Sequence, residues 1–279
     1  MTSAALWRIT RPSHAGMPLL VNVPHAGIFL PPAIAATLTP AALTLPDTDW
    51  FVDQLAGFVP AVGATLMVAT HSRIVVDLNR DPSGVALYPG ASNSEICATE
   101  TFADEPIYLQ GCAPDAASVN ARIDAYWQPY HRQLAVEIAR LKAAHGHCLL
   151  LDLHSIKRVV PRFFAGILPD LNFGTVDGQS SAAELAQAAF QVLANANGFT
   201  AVHNGRFKGG YITRHYGAPL TGVHAMQLEI AQGCYMDENS PVKFDARRAA
   251  ALIDVLKNLL AEILKTPAPF GREQKTGIA

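Results

Sequence analysis

The stretch Cys148–Ser155, "CLLLDLHS", decides the fold because it has the composition of a strand that is buried on both faces. Five further runs share its Val, Leu and Ile content without polar alternation. They are "PLLVNVP" at 18–24, "ATLMVAT" at 64–70, "RIVVDLN" at 73–79, "FFAGILP" at 163–169 and "VHAMQLEIA" at 223–231. Because strands of this kind are typical of parallel sheets packed between helices, the sequence predicts a mixed, mostly parallel central sheet.

Three other segments have apolar residues at the spacing of amphipathic helices. They lie at 118–146, 181–198 and 245–264, and Gly146 and Gly198 are predicted to end the first two. Pro129 should kink or split the first helix, because proline has no amide hydrogen to donate. Strands alternating with such helices predict a three-layer α/β/α fold, with long irregular loops at 81–114 and 169–181.

The composition is that of an ordinary globular chain. Its 279 residues are 50% hydrophobic and 16% charged, which predicts a single domain over 1–279 with a loose tail at about 266–279. A formal charge of −2 without a basic run argues against a nucleic-acid partner. Without a long apolar stretch, a signal sequence or clustered cysteines, we expect a cytoplasmic protein with no membrane association. The sequence leaves the oligomeric state open.

Side chains suited to metal chemistry follow or end three of the predicted strands. Ligand sites of parallel α/β sheets lie outside the carboxyl ends of the strands, so these side chains should meet. They are His25, Asp152, His154, His224, Gln227 and Glu229. Between the first two strands, "LPDTDWFVDQL" at 45–55 adds Asp47, Asp49 and Asp53. Two imidazoles, one carboxylate and an open position are typical of catalytic zinc, and a further glutamate suits a general base.

Each of these residues also has an ordinary structural interpretation. His25 alone would be a hydrogen-bonded turn residue, and Asp49 alone would be a helix cap before an apolar periodic run. Glu229 is the hardest to explain in this way. An unpaired charge is costly inside an apolar strand, so Glu229 needs a partner or a metal.

Cationic side chains next to glycine-rich or irregular segments indicate an anionic ligand. Asn79 and Arg80 follow a predicted strand, and "NGRFKGGYITRHYG" at 204–217 carries Arg206, Lys208 and Arg214 around a Gly-Gly pair. Arginine binds carboxylates with two parallel hydrogen bonds, so a small carboxylate is the expected ligand. We interpret Arg73 and Arg122 instead as surface ion-pair residues. The sequence has no G-x-S-x-G, G-x-G-x-x-G, P-loop or H-E-x-x-H motif.

Several long motifs together resemble the N-formylglutamate amidohydrolase (N-formylglutamate deformylase) family. They are "VNVPHAG" at 21–27, "LPDTDWFVDQL", "SRIVVDLNRDPSGVALYPG" at 72–90, "YWQPYH" at 126–131, "LDLHSI" at 151–156, "VPRFFAGILPDLNFGT" at 160–175, "NGRFKGGYITRHYGAP" at 204–219 and "GVHAMQLEIAQGCYMDE" at 222–238. The resemblance implies a fold similar to that of zinc carboxypeptidases. It also implies hydrolysis of N-formyl-L-glutamate to L-glutamate and formate, as in histidine degradation.

The resemblance also implies roles for individual residues. His25 and His154 would be metal ligands, and Glu229 would be the general base. Zinc carboxypeptidases usually carry a glutamate three residues after the first histidine, where this chain has Ile28, so the carboxylate ligand is expected at Asp49, with Asp47 as the alternative.

The implied substrate contacts are cationic. Asn79 and Arg80 resemble the pair that holds a substrate carboxylate, and Arg80 is also a candidate for stabilising the oxyanion. Arg206, Arg214 and Lys208 are further candidates for binding the substrate. Lys157 and Arg158 depart from the family pattern and could strengthen anion binding or change which acyl amino acid fits.

The hypothesis is therefore a hydrolase that depends on Zn²⁺ or another divalent transition metal. Its rivals are a hydrolase of another N-acyl amino acid, such as N-formylaspartate, and a non-catalytic protein that binds a small diacid.

Overall fold

The computed structural model describes residues 4–13, 16–87, 90, 93–238 and 242–267. Its strands are β1 (Trp7–Thr10), β2 (Leu19–Val23), β3 (Thr65–Ala69), β4 (Cys148–Ile156), β5 (Leu171–Gly174), β6 (Ala201–His203), β7 (Val223–Ala231), β8 (Met236–Asp237) and β9 (Lys243–Phe244). Its α-helices are α1 (Pro32–Ala35), α2 (Val52–Leu55), α3 (Ala116–Arg122), α4 (Gln128–His145), α5 (Ala183–Ala194), α6 (Tyr211–Tyr216) and α7 (Ala246–Lys265).

Seven strands form the central sheet in the order β1-β3-β2-β4-β7-β5-β6. The four strands β3, β2, β4 and β7 run parallel to one another. β1 is antiparallel to β3 at one edge, and β5 is antiparallel to β7. The predicted mixed, mostly parallel sheet is therefore confirmed.

Helices cover both faces of this sheet. In β4, Leu149, Leu151 and Leu153 point to the face that packs against α2, α5 and α7. Leu150 points to the opposite face, where it packs with residues of α4 and α6. Each buried leucine contributes roughly 1.5–3 kcal/mol to stability, which explains why β4 is apolar on both sides. The same alternation directs Asp152 and His154 to the α4 and α6 side.

Two of the predicted strands are not strands. Residues 74–79 are buried, but their backbone forms turns in which Val75 N donates to Ser72 O and Asp77 N donates to Ile96 O. Residues 163–169 also form a loop, in which Leu168 N donates to Arg158 O. Burial alone therefore explains both apolar runs, and neither run pairs with a strand in the part of the chain that the structure describes.

The strands β1, β5 and β6 were not predicted. β5 lies inside the segment 169–181 that the sequence indicates as a loop, because "LNFG" is too short and too polar to stand out. Its pairing with β7 on one side and β6 on the other supplies the backbone bonds that hold it in the sheet.

The predicted first helix is interrupted as expected. A π-helical turn at Ile123–Trp127 separates α3 from α4, and Pro129 lies in the first turn of α4, where its missing amide hydrogen is tolerated. Gly146 ends α4 in a left-handed conformation with φ of 82°. The second helix ends at Ala194, before the predicted Gly198. Residues 268–279 of the predicted tail lie outside the described residues.

Within the described ranges, no helix combines the length and apolar content that crossing a bilayer requires.

Candidate metal centre and active site

Three buried side chains converge at the carboxyl ends of β2 and β4. His25 follows β2, Asp49 lies in the turn before α2, and His154 belongs to β4. The Asp49 Oδ2 atom lies 3.2 Å from His154 Nδ1 and 3.7 Å from His25 Nδ1. One potential ligand atom from each residue falls within 4.8 Å of the others, so the three residues could hold a metal ion.

The outer nitrogen of each imidazole faces a second carboxylate. His25 Nε2 lies 2.8 Å from Asp77 Oδ1, and His154 Nε2 lies 2.8 Å from Asp152 Oδ2. Because a carboxylate accepts hydrogen bonds, each Nε2 carries the proton. In the neutral imidazoles that metal binding requires, the lone pairs of both Nδ1 atoms face Asp49.

Asp152 is itself held by a series of buried side-chain hydrogen bonds that begins at α4 and continues through β2. Tyr130 of α4 donates to Asn22 Oδ1 at 2.6 Å, and Asn22 Nδ2 of β2 donates to Asp152 Oδ1 at 2.7 Å. These side chains are buried, so the series satisfies polar groups that would otherwise be costly. It therefore fixes the carboxylate that orients His154.

Asp49 is kept ionised although it is fully buried. Burial alone would raise its pKa, but without a metal a hydrogen bond from His154 and charge from the two imidazoles lower the pKa below its usual range. Its Oδ2 also accepts from Ser155 N at 3.0 Å. Asp47, the alternative from sequence, instead accepts from Phe102 N at 2.9 Å and is not in the three-residue cluster.

The centre of the cluster has the character of a cation site. His25 Nδ1 is buried and has no hydrogen-bond partner among the described residues. Two imidazole lone pairs and a carboxylate oxygen that face one another repel unless a positive charge lies between them. The donor set of two histidines and one aspartate fits a divalent transition metal.

Glu229 lies beside this cluster. It is on β7 directly opposite His154 in the strand pairing, and it is 8% exposed and lines the neighbouring pocket. Burial raises the pKa of its carboxyl to about 8, with charge from His154 opposing and charge from Asp49 adding to the effect. A carboxyl group of this kind can exchange a proton near neutral pH.

The pocket next to the cluster is partly open to solvent, so a small molecule can reach the cluster through it. Its cationic walls come from Arg80, whose guanidinium donates to Ser94, and from Arg206, whose Nε donates to Phe163 O at 2.7 Å. The Arg206 guanidinium also packs over the Phe163 and Phe207 rings at 5.8 and 5.4 Å. The pocket lining includes His25, Arg73, Asn79, Arg80, Phe102, His154, Ser155, Phe163, Arg206, Phe207, Gly210, Gln227 and Glu229.

Comparison with known proteins extends over nearly the whole chain. The family model for N-formylglutamate amidohydrolase matches residues 17–236. This chain belongs to the N-formylglutamate amidohydrolase family.

Two relatives are named N-formylglutamate deformylase. The one from Pseudomonas aeruginosa is 45% identical over 92% of this chain and 95% of its own length. The one from Pseudomonas putida is 43% identical over 90% of this chain and 94% of its own length. The resemblance identified from the motifs is therefore confirmed.

Two solved structures share the fold. The N-formylglutamate amidohydrolase from Ralstonia eutropha is 27% identical with a TM-score of 0.79, and the match covers 94% of this chain and 97% of that one. A gene product of Agrobacterium tumefaciens has a TM-score of 0.71 over 93% of this chain and 95% of that one, at 20% identity. The second comparison supports the fold alone.

Some sequence-predicted residues do not line the pocket. Lys208 forms an exposed ion pair with Asp177 at 3.0 Å, and Arg214 Nε donates to Gly209 O at 3.0 Å. Arg158 pairs with Asp170 at 2.5 Å, while Lys157 lines a second cavity beside Asp47. Their predicted substrate contacts stay predictions.

Other predicted residues also lie elsewhere. His224 is the second residue of β7 and accepts from Ala182 N at 3.1 Å, and Asp53 forms an exposed ion pair with Arg8. Neither belongs to the three-residue cluster.

Arg73 was wrongly predicted as a surface residue. Its side chain is 11% exposed, donates to Asp77 Oδ2 at 2.6 Å and reaches Asp49 Oδ1 at 3.4 Å. The guanidinium also packs 4.8 Å above the Phe102 ring. Arg122 donates to the Tyr108 hydroxyl at 2.8 Å.

Sequence reasoning also missed Asp77 and Asn22. Both are polar residues inside apolar runs, which is the same signal that identified Glu229. For Asp77, the arginine four residues earlier in the chain was a further sign of a buried pair.

Proposed function

We propose that this chain is a metal-dependent hydrolase that converts N-formyl-L-glutamate and water into L-glutamate and formate. The two relatives named N-formylglutamate deformylase support the reaction. The observation that carries the metal dependence is the convergence of His25, Asp49 and His154 beside the buried Glu229.

In this proposal His25, Asp49 and His154 would hold the metal. The unpartnered Nδ1 of His25 supports the assignment, and Zn²⁺ is the first choice because two histidines and a carboxylate are a frequent catalytic zinc set. Other divalent transition metals suit the same donors. When bound, the metal would act as a Lewis acid toward water and the formyl oxygen. We further propose that the fold is of the zinc carboxypeptidase type.

Glu229 would move the proton. Its carboxylate takes a proton from the attacking water while the water oxygen bonds to the formyl carbon. The proton then passes to the amide nitrogen as the carbon–nitrogen bond breaks, which leaves formate and the amino group of glutamate. Because burial raises its pKa to about 8, Glu229 can both accept and return a proton near neutral pH.

Arg206 and Arg80 would recognise the substrate carboxylates. The Arg80 guanidinium is oriented by the Ser94 carbonyl and hydroxyl oxygens, and the Arg206 guanidinium by the Phe163 carbonyl and two aromatic rings, so little freedom is lost when an anion binds. Arg80 could instead stabilise the developing oxyanion. Arg214 and Lys208 stay candidates for binding the substrate.

We also propose that the chain acts as one catalytic domain in the cytoplasm. The core cluster that contains β2, β4 and β7 also contains α5 and α7, which supports a single unit. All four cysteines are free thiols, as expected in a reducing compartment.

The deciding experiment measures formate release and metal content on the same purified protein. We expect one equivalent of divalent metal per chain, formate release from N-formyl-L-glutamate, and loss of release after chelation with recovery on adding Zn²⁺. Rates measured with N-formyl-L-aspartate and N-acetyl-L-glutamate test the first rival, a hydrolase of another N-acyl amino acid. Faster hydrolysis of either compound than of N-formyl-L-glutamate would favour that rival. Tight glutamate binding without formate release would support the diacid-binding rival and contradict the proposal.

A further inference from the structure

Asn79 connects two parts of the pocket that are distant in sequence. Its side chain is buried, with 4% of the residue exposed, and it lines the pocket. The Oδ1 atom accepts from Ile212 N of α6 at 2.8 Å. The Nδ2 atom donates to Asp152 Oδ2 at 3.4 Å and lies 3.1 Å from His154 Nε2. Both ends of the amide are therefore engaged by the protein itself.

We propose that Asn79 is a positioning residue that couples the loop carrying Arg206 to the Asp152–His154 pair. This role differs from the substrate-carboxylate contact that the sequence predicts for Asn79. The proposal rests on the proposed function for its catalytic consequence. Its structural part, the coupling of the loop to the Asp152 carboxylate, does not depend on the reaction.

The backbone of Asn79 strengthens the connection. Its N–H donates to Asp77 Oδ1 at 2.9 Å, so the residue also touches the carboxylate that orients His25. Its carbonyl accepts from Tyr211 N at 3.4 Å. One residue thus contacts the outer carboxylates of both histidines and the first residues of α6.

The loop is pressed closely against the Asn79 amide. A Cβ atom added at Gly210 would lie 2.5 Å from Asn79 Cγ, which no real contact allows. Gly210 has a φ of −82°, so an alanine would suit its backbone and only the contact forbids one. The Gly210 N–H donates to Gln227 Oε1 at 2.7 Å, and Gln227 lies opposite Asp152 in the sheet.

The other side of the loop is also fixed. Val176 N donates to Lys208 O at 2.6 Å, and a Cβ atom at Gly174 would lie 2.6 Å from the Lys208 carbonyl carbon. The segment between Arg206 and Gly210 is therefore held between β5 and Asn79. The loop is in close contact with β5 on one side and with Asn79 on the other. A change at Asn79 should therefore move Arg206 relative to the three-residue cluster, because one of the two contacts that fix the loop is lost.

An asparagine suits this position because its amide offers one acceptor and two donors. Alanine would leave Ile212 N without its acceptor and would remove one of the two donors at Asp152 Oδ2, which would keep only His154 Nε2. An Asn79→Ala variant should therefore loosen the loop and weaken the support of His154 at the same time.

The test uses full-length Asn79→Ala, Gly210→Ala and the double variant, with Gly57→Ala as the matched control. A Cβ atom at Gly57 meets nothing within 4 Å. Hydrogen exchange at Ile212 is measured on metal-free protein, and Zn²⁺ affinity is measured by competition with a chelator. The ratio of kcat/KM for N-formyl-L-glutamate to that for N-formyl-L-norvaline reports the position of Arg206.

For Asn79→Ala we expect Ile212 exchange to accelerate about tenfold or more, because its acceptor is lost. Zn²⁺ should bind about tenfold or more weakly, as is common when a group supporting a ligand is removed. The preference for the diacid should fall. Gly210→Ala should lower that preference too, whereas adding Gly210→Ala to Asn79→Ala should have little further effect, because the space for the Cβ atom has been opened.

A raised KM with unchanged Ile212 exchange and unchanged Zn²⁺ affinity would overturn the proposal and make Asn79 a substrate ligand. Fully additive effects of the two substitutions would also overturn it. If the wild-type chain releases no formate from N-formyl-L-glutamate, the proposed function fails, while the exchange measurement still decides the coupling.

Discussion

His154 and Glu229 lie directly opposite each other in the pairing of β4 with β7. The pair brings the candidate metal ligand and the candidate base to neighbouring backbones of one rigid sheet. Both residues are fixed by strand pairing and not by a loop. A substitution of one should therefore leave the other in place, so that metal binding and proton transfer can be tested separately.

Glu229→Gln should keep the metal and lose most of kcat. The amide has nearly the shape of the carboxyl group but cannot take a proton, and general-base catalysis typically contributes about 10²–10⁴-fold. The measurement is kcat together with metal content and Zn²⁺ affinity. A Glu229→Gln enzyme with a kcat close to that of the wild type would contradict the assignment of Glu229 as the base.

Asp152→Asn should weaken metal binding. The introduced amide must turn a donor toward either His154 Nε2 or Asn22 Nδ2, both of which are donors. We expect a loss of about 10–100-fold in Zn²⁺ affinity, in the range usual for such supporting groups. Asp53→Asn, which changes an exposed acid that is paired with Arg8, is the control. Equal affinities for the two variants would remove Asp152 from this role.

Arg206→Ala should raise KM for a diacid far more than for a monoacid. Losing a desolvated contact between arginine and carboxylate costs roughly 2 kcal/mol or more, about 30-fold in kcat/KM. N-formyl-L-glutamate and N-formyl-L-norvaline are compared, with Arg132→Ala on the exposed face of α4 as the control. Equal losses for both substrates would argue against recognition of the side-chain carboxylate by Arg206.

His131 should make the protein less stable as the pH falls from about 6.5 to 4. Burial lowers the pKa of this histidine to about 4, while its Nε2 lies 2.8 Å from the Leu78 carbonyl. In this window the unfolded chain binds a proton that the folded chain does not, so the free energy of unfolding falls by at most about 1.4 kcal/mol per pH unit, and by roughly 2–3 kcal/mol in all because the slope is smaller at both ends of the window.

Urea unfolding of metal-free wild type and His131→Gln at several pH values tests this expectation. Only the slopes against pH are compared, because the variant also changes packing between Trp127 and Tyr216. Parallel slopes for the two proteins would show that His131 does not contribute to the pH dependence.

The sequence predicted well those features that depend on burial and periodicity. β2, β3, β4 and β7 stood out because both faces of each strand are covered, and α4 and α7 stood out through helical spacing. β5 did not, since four residues carry too little pattern and its place depends on pairing with β7. The run 73–79 misled because a buried turn and a buried strand need the same apolar side chains.

At the site, the sequence predicted the residues at the strand ends but not the buried polar residues that support them. His25, Asp49 and His154 come together as expected. Asp77, Asn22 and Arg73 were missed because a single polar residue in an apolar run does not show which partner it meets. Their roles follow from side-chain contacts across the fold, which spacing along the chain does not contain.

The contact between Asp49 and His154 also bears on when the chain could bind the proposed metal during folding. It joins residues that are 105 positions apart, and the intervening chain includes β3, α3 and α4. Closing such a long segment is slow, because entropy is lost before the contact is made. High-affinity metal capture in refolding should therefore lag behind helix formation, and a nascent chain should have no such site until β4 has emerged and paired with β2.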